Sequence, residues 1–145
     1  MQIILDTNIL ISGLLKDSLT RKILFKHNEY FLFPNIVLEE INKHETGLIK
    51  KSKLDITDFY KLLNTILMQI TLIPNDKIIP HKSTAIELVK NIDKNDVIFI
   101  ACCLAHKNSI LWSDDKALKR VKGIIVKNTA EIKKFIDNKE HFKEF

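Results

Sequence analysis

The octet Ile3–Leu10, IILDTNIL, constrains the fold more than any other stretch of the chain. An apolar run climbs to Asp6, turns through Thr7 and Asn8, and becomes apolar again. Read as a strand followed by a helix, it sets Asp6 at the carboxyl end of the first strand, where open α/β sheets keep their ligand crevices. Asp and Asn also cap helices and tolerate turns, so a plain helix cap competes with a working carboxylate here.

The same strand-then-helix rhythm recurs along the chain. Tyr30 to Phe33 reads as a second strand stopped by Pro34, and Thr71 to Ile73 as a third closed by Pro74. Ser109 to Ser113 is a fourth, and Ile124 to Val126 a last one. A first helix is expected from Asn8 to Leu15, its end loosened by Ser12 and Gly13. A second runs from the capping Ser18 to Asn28. Asn35 is expected to cap a helix through Val37, Leu38 and Ile41 that continues toward Lys51. Phe59, Leu62, Leu63, Ile66 and Leu67 form one stripe of a helix from Ile56 to Met68, started by Asp55 or Thr57. Pro80 leads to a helix from Ser83 to Asn91. VIFIACCLAH, after Asp96, is apolar almost all round, as a helix packed on several sides should be. Short helices are expected at Ala117 to Val121 and Ala130 to Asp137. Strands alternating with helices imply a parallel sheet joined by right-handed crossovers. The expectation is one α/β domain over residues 1–145: a parallel sheet of four to five strands flanked by helices, with a polar tail from about residue 138.

Composition narrows the function. With 145 residues the chain can bury one core without staples. It has only three glycines, and neither G-x-G-x-x-G nor a P-loop pattern, which argues against those modes of nucleotide binding. Cys102 and Cys103 are adjacent, so they suit neither a disulfide framework nor a zinc site and read as small buried hydrophobes. No run reaches the roughly 18 apolar residues of a membrane span, and no signal peptide precedes Asp6, so no membrane association and a cytoplasmic location are expected. The formal charge of +5 permits a polyanionic partner without requiring one.

Four acidic positions recur at equivalent places. Asp6 ends the first strand, Glu40 lies on the helix after the second, Asp96 heads the apolar helix, and Asp115, with Asp114 beside it, follows SILWS. Each has a plain reading: Asp96 as partner of Asp93 in a capping box, Glu40 as a solvated helix residue, Asp114 and Asp115 as a turn and a cap. Gathered at one sheet edge, four carboxylates would raise one another's pKa, and a divalent cation would relieve the conflict. Such a cation promotes attack of water at phosphorus.

IILDTNIL, VLEEI, NDVIFIACCLA and LWSDDKAL together resemble the PIN domain of metal-dependent ribonucleases, which includes the toxins of VapBC-type toxin–antitoxin pairs. The resemblance runs from Ile3 to about Lys127 and implies a parallel sheet between helices. It implies that Asp6, Glu40, Asp96 and Asp115 are the catalytic carboxylates and hold one or two Mg²⁺ or Mn²⁺ ions. Glu39, Asp93 and Asp114 are the neighbouring alternatives. Asn8 matches a polar residue that steadies the acids, and Ser113 a supporting hydroxyl; Asp114 and Asp93 also stand as supporting residues. The implied substrate is RNA, the implied partners a separate antitoxin and a second copy of the chain. Lys116, Lys119, Arg120 and Lys43, close in sequence to Asp115 and Glu40, are candidate RNA contacts, or else wetted helix faces. Trp112 is a candidate for base stacking or for the core. The competing functional reading is a non-catalytic RNA- or protein-binding module. A phosphotransferase with Asp6 as nucleophile fits less well, because Asn8 stands where a second acid is usual. A flap nuclease would need helical insertions that the chain has no room for.

Overall fold

A computed structural model of the chain describes residues 1–16, 18–27, 30–89 and 93–143; Asn28 and Asn91, where the sequence reading ends two helices, lie outside them. The first strand, β1 (Gln2–Leu5), sets the architecture. Its Ile3, Ile4 and Leu5 are fully buried, because both faces of a parallel sheet are covered by helices. The chain continues through α1 (Thr7–Leu15), α2 (Leu19–Lys26), β2 (Phe31–Pro34), α3 (Asn35–Lys43), α4 (Glu45–Ser52), α5 (Ile56–Met68) and β3 (Ile70–Ile73). The short α6 (Asn75–Ile78) and a 3-10 turn (Ile79–His81) lead into α7 (Lys82–Leu88). A 3-10 turn (Lys94–Asp96) then precedes α8 (Val97–Ala105) and β4 (Ser109–Trp112). A further 3-10 stretch (Lys116–Arg120), β5 (Val126–Lys127) and α9 (Thr129–Lys143) complete it.

The five strands form one parallel sheet in the order β3-β2-β1-β4-β5. Ile3 lies between Phe31 of β2 and Ile110 of β4, and Leu5 pairs with Trp112. The protein is thus a single α/β domain with a five-stranded parallel sheet between helices. Trp112 is core: it is fully buried, its ring centroid 5.9 Å from that of Phe31, and its Nε1 donates to Thr129 Oγ1 at 3.0 Å. Cys102 and Cys103 are free and buried on α8, and burial pushes both thiols up to about 12. Among the described residues no helix is long and apolar enough to cross a membrane.

Several helix ends differ from the sequence reading, each for a physical reason. Asn35 is not the cap of α3. Pairing of β2 with β3 keeps the chain extended to Pro34, which occupies the cap position and offers no side-chain hydrogen bond. That helix does not continue toward Lys51: it breaks at His44, ahead of the weak helix formers Thr46 and Gly47, and α4 restarts to bury Leu48. Helical structure resumes at Asn75, well before Ser83. The segment after Asp115 is 3-10 rather than α, and the last strand is only Val126–Lys127. Residues from 138 do not leave the fold as a tail; α9 runs on to Lys143. Its buried Ile132 and Ile136 and a Tyr30 hydroxyl donating to Glu140 at 3.3 Å hold that polar stretch against the body, and the Lys133–Asp137 ion pair at 2.6 Å lies along the helix itself. Gly13 does not loosen α1. A Cβ there would stand 3.0 Å from Leu24, so glycine lets α2 pack closely.

Candidate active site

Connections from β1 run to β2 on one side, while β4 joins on the other, so the strand order reverses at β1. Crossovers diverge at such a switch point and leave a crevice beyond the carboxyl ends of the strands. A cleft of about 730 Å³ opens there. Asp6 reaches it from the end of β1, Glu40 from α3, Asp93 and Asp96 from the turn before α8, and Asp115 from beyond β4.

Asp6 is 6% exposed and serves as both cap and cleft carboxylate. Its Oδ1 accepts from the Ile9 N–H at 2.9 Å, capping α1, and its own N–H donates to Trp112 O at 3.2 Å. Burial raises its pKa above the ordinary 3.8; hydrogen bonds from Ser113 and Ile9 oppose that rise, and the charges of Asp114 and Asp115 add to it. Ser113 is 1% exposed, and besides bonding Asp6 its Oγ accepts from the Asp115 N–H at 3.1 Å. One hydroxyl therefore ties two of the acids together.

Asp96 is half-buried, and its pKa is raised to about 6, by burial first and then by Asp115, Asp93 and Asp6. The capping-box role does not form. Asp93 caps the turn by accepting from Asn95 N–H at 3.0 Å, and Asp96 makes no capping bond to the helix it heads. Asp115 faces the cleft while its Oδ1 accepts from Ala117 N–H at 3.0 Å. Asp114 is turned the other way. It accepts from the N–H and hydroxyl of Thr129, the first residue of α9, at 2.8 and 3.0 Å, so only its charge reaches Asp6. Glu40 lines the cleft from the exposed side of α3, and Glu39 does not. Asn8 also lines it, but among the described residues its side chain makes no hydrogen bond to the acids; Ser113 does that for Asp6.

The cleft's lysines are not those that sequence proximity suggests. Lys43, Lys116, Lys119 and Arg120 do not line it. Lys119 pairs with Glu131 near α9, and Lys43 borders a separate shallow depression with His44 and Lys51. Lys82 and Lys94 line the cleft instead. Lys94 carried a signal, standing between Asp93 and Asp96. Lys82 carried none, because only the packing of α7 against α8 brings it there.

Among the described residues, no three acidic, His or Cys side chains converge closely enough to clasp one ion directly. The donor set nonetheless suits a hard divalent cation. Every acidic donor is a carboxylate oxygen, and burial and mutual repulsion raise two of their pKa values, a cost that positive charge relieves. Mg²⁺ keeps several of its waters and needs only one or two carboxylates, so the residues fit.

A family model described as the PIN domain matches residues 4–136. No match is found among curated proteins. Solved structures that share the fold include the following three. VapBC2 from Rickettsia felis, bound to a DNA fragment from its promoter, has 20% identity and a TM-score of 0.67 over 88% of this chain and 98% of that one. DNA-bound VapBC from Salmonella typhimurium has 14% identity and a TM-score of 0.68 over 89% and 98%. PAE2754 from Pyrobaculum aerophilum has 14% identity and a TM-score of 0.58 over 87% and 83%. With the family model covering most of its length and the acids gathered at the switch point of a parallel sheet, the chain belongs to the PIN domain family, whose members are generally nucleases.

Proposed function

We propose that this protein is an endoribonuclease that hydrolyses RNA phosphodiester bonds using one or two Mg²⁺ or Mn²⁺ ions held by Asp6, Glu40, Asp96 and Asp115. The observation that carries this reading is the cleft that Asp6, Glu40, Asp96 and Asp115 share with Asp93, with Asp6 buried among them. When bound, the cation supplies positive charge that acidifies water and stabilises charge growing on the phosphate. The chain's own groups hold the acids ready. Ser113 and the Ile9 N–H orient the Asp6 carboxylate, and the Ala117 N–H orients Asp115. Glu40, exposed on α3, has freedom to swing toward a ligand. Lys82 and Lys94 offset the charge of the incoming phosphates, with Lys116, Lys119, Arg120 and Lys43 as outer contacts to the RNA backbone.

The similarity to VapBC structures supports a toxin role in the cytoplasm, as a homodimer silenced by a separate antitoxin that blocks the cleft. The lack of a ready three-ligand cluster among the described residues favours one other reading, a PIN-like module that binds RNA or protein without cutting. A panel of single-stranded and structured RNAs, incubated with Mg²⁺, Mn²⁺ or EDTA, separates the two. Cleavage with metal and none in EDTA is expected. Cleavage that survives EDTA, or no cleavage together with no calorimetric binding of Mn²⁺, would overturn the nuclease reading.

A further inference from the structure

Outside the cleft, at the corner between α3 and α4, Lys43, His44, Thr46, Gly47, Leu48 and Lys51 line a shallow depression of about 440 Å³. Leu48 is buried and the others are exposed. The stretch from Lys43 to Lys53, KHETGLIKKSK, holds four lysines against one acid. That acid, Glu45, does not line the depression, and it accepts from the Tyr60 hydroxyl of α5. Among the described residues none of the four lysines makes an ion pair. His44, at the break itself, gives α4 no side-chain cap. A lysine-rich helix face is ordinarily a solvated surface. Three things set this one apart: it is concave, its charge is unopposed, and it adjoins the cleft. Glu40 lines the cleft and Lys43 the depression, three residues apart on α3. Residues so spaced are neighbours on one helix face. The depression therefore begins about one helical turn, roughly 5 Å, beyond a cleft carboxylate.

The cleft's own carboxylates repel the phosphates on either side of a scissile one, so grip on a polyanionic strand has to come from cations beyond them. Resting on the ribonuclease reading, we infer that the α3–α4 corner is a separate binding site for the phosphate backbone of the RNA outside the cleft, with Lys43, His44 and Lys51 as its donors and Lys50 and Lys53 adding charge beside it. Contacts to phosphate carry no sequence information, so this site holds the strand without selecting its bases. It lies away from the reacting atoms and is engaged equally before and during the reaction, so it acts on KM and leaves kcat to the cleft. An RNA too short to reach from the acids to Lys51 forgoes it. An acidic protein segment would meet the same cations, but only a strand threaded through the adjoining cleft gains from their place one turn beyond Glu40.

The test is fluorescence anisotropy of a labelled single-stranded RNA in Mg²⁺ with the Asp6→Asn protein, which is not expected to cut. Adding Lys43→Ala and Lys51→Ala together should weaken binding by roughly tenfold and flatten its salt dependence by a slope of about 1. The control pair, Lys107→Ala with Lys139→Ala, removes the same charge at positions that line neither the cleft nor the depression, and should change binding by less than about twofold. Thermal melts of each variant confirm the fold. Equal effects of the two pairs, no effect of either, or no RNA binding at all would overturn the site. Unchanged RNA binding with lost binding of a labelled polyglutamate peptide would overturn it in favour of an acidic protein partner. Cleavage of the same RNA, with Asp6 restored, tells the failure of this site from the failure of the nuclease reading. The Lys43 and Lys51 pair should raise KM several-fold with kcat held within about twofold. Metal-dependent cleavage with KM unmoved removes the site and leaves the nuclease. RNA binding that depends on Lys43 and Lys51, with no cleavage in any metal, leaves a backbone site and removes the nuclease.

Discussion

Asp6 shows why single residues of this chain invite two readings. The position that ends a parallel strand is also the cap position of the next helix, so one carboxylate both accepts from Ile9 N–H and borders the cleft. Asp96 differs: Asp93 takes the capping bond and leaves Asp96 half-buried among other acids. Its pKa is about 6 in the fold against an ordinary 3.8, so the native state binds more protons than the unfolded chain between those values. Stability from this group is therefore present at low pH and lost as pH rises from about 4 through about 6. One outcome follows for the metal-free protein in EDTA, and one for EDTA-free protein to which metal is added. Asp96→Asn should raise the melting temperature near neutral pH by a few degrees, with the gain shrinking toward about pH 4. Calorimetric scans check this, and a fall in Tm at neutral pH would contradict it. Adding Mn²⁺ to the wild-type protein near neutral pH should raise Tm, and should do so less in Asp96→Asn. These acids were legible because each stands at a strand end or helix head, which a sequence displays directly.

At the scale of elements, the sequence showed where apolar periodicity decides and missed where tertiary contacts do. Ile56–Met68 forms the helix its stripe predicts, with Asp55 accepting from Asp58 N–H. By contrast, α9 extends through a polar stretch whose anchors, Tyr30 and His27, lie far away in the chain. The helix pair α1–α2 depends on a side-chain contact between consecutive helices. Arg21 Nε donates to Gly13 O at 2.8 Å and Nη2 to Leu14 O at 3.3 Å, which satisfies the open carbonyl end of α1. Arg21→Ala should cost about 1–2 kcal/mol in urea unfolding, and an unchanged midpoint would contradict that role. The adjacent acids after β4 should also separate. Asp114→Ala removes the acceptor for the first N–H of α9 and for the Thr129 hydroxyl, and should cost about 1 kcal/mol of stability. Asp115→Asn should instead fall mainly on RNA cleavage, as read by unfolding and cleavage of the same preparations. The reverse pattern would exchange the two assignments.

For the whole molecule, alternation of strands and helices was enough to predict a parallel α/β sheet, since that rhythm leaves few alternatives. Strand order was not legible. It depends on which crossover turns which way, and it decides that α7 rather than the segment after Asp115 supplies a cleft lysine. The net charge of +5 gave no guide to that, because the lysines near Asp115 in sequence do not line the cleft. What the fold achieves as a unit is a concentration of negative charge at the switch point of a basic protein, with lysines and open apolar side chains beside it. The most direct test compares the rate of single-stranded RNA cleavage in Mn²⁺ by the wild-type protein and by Asp6→Asn, both shown to be folded by thermal melts. A fall on the order of 100-fold or more in the variant is predicted. Cleavage by Asp6→Asn at the wild-type rate would contradict the assignment of the carboxylate cleft as the nuclease site.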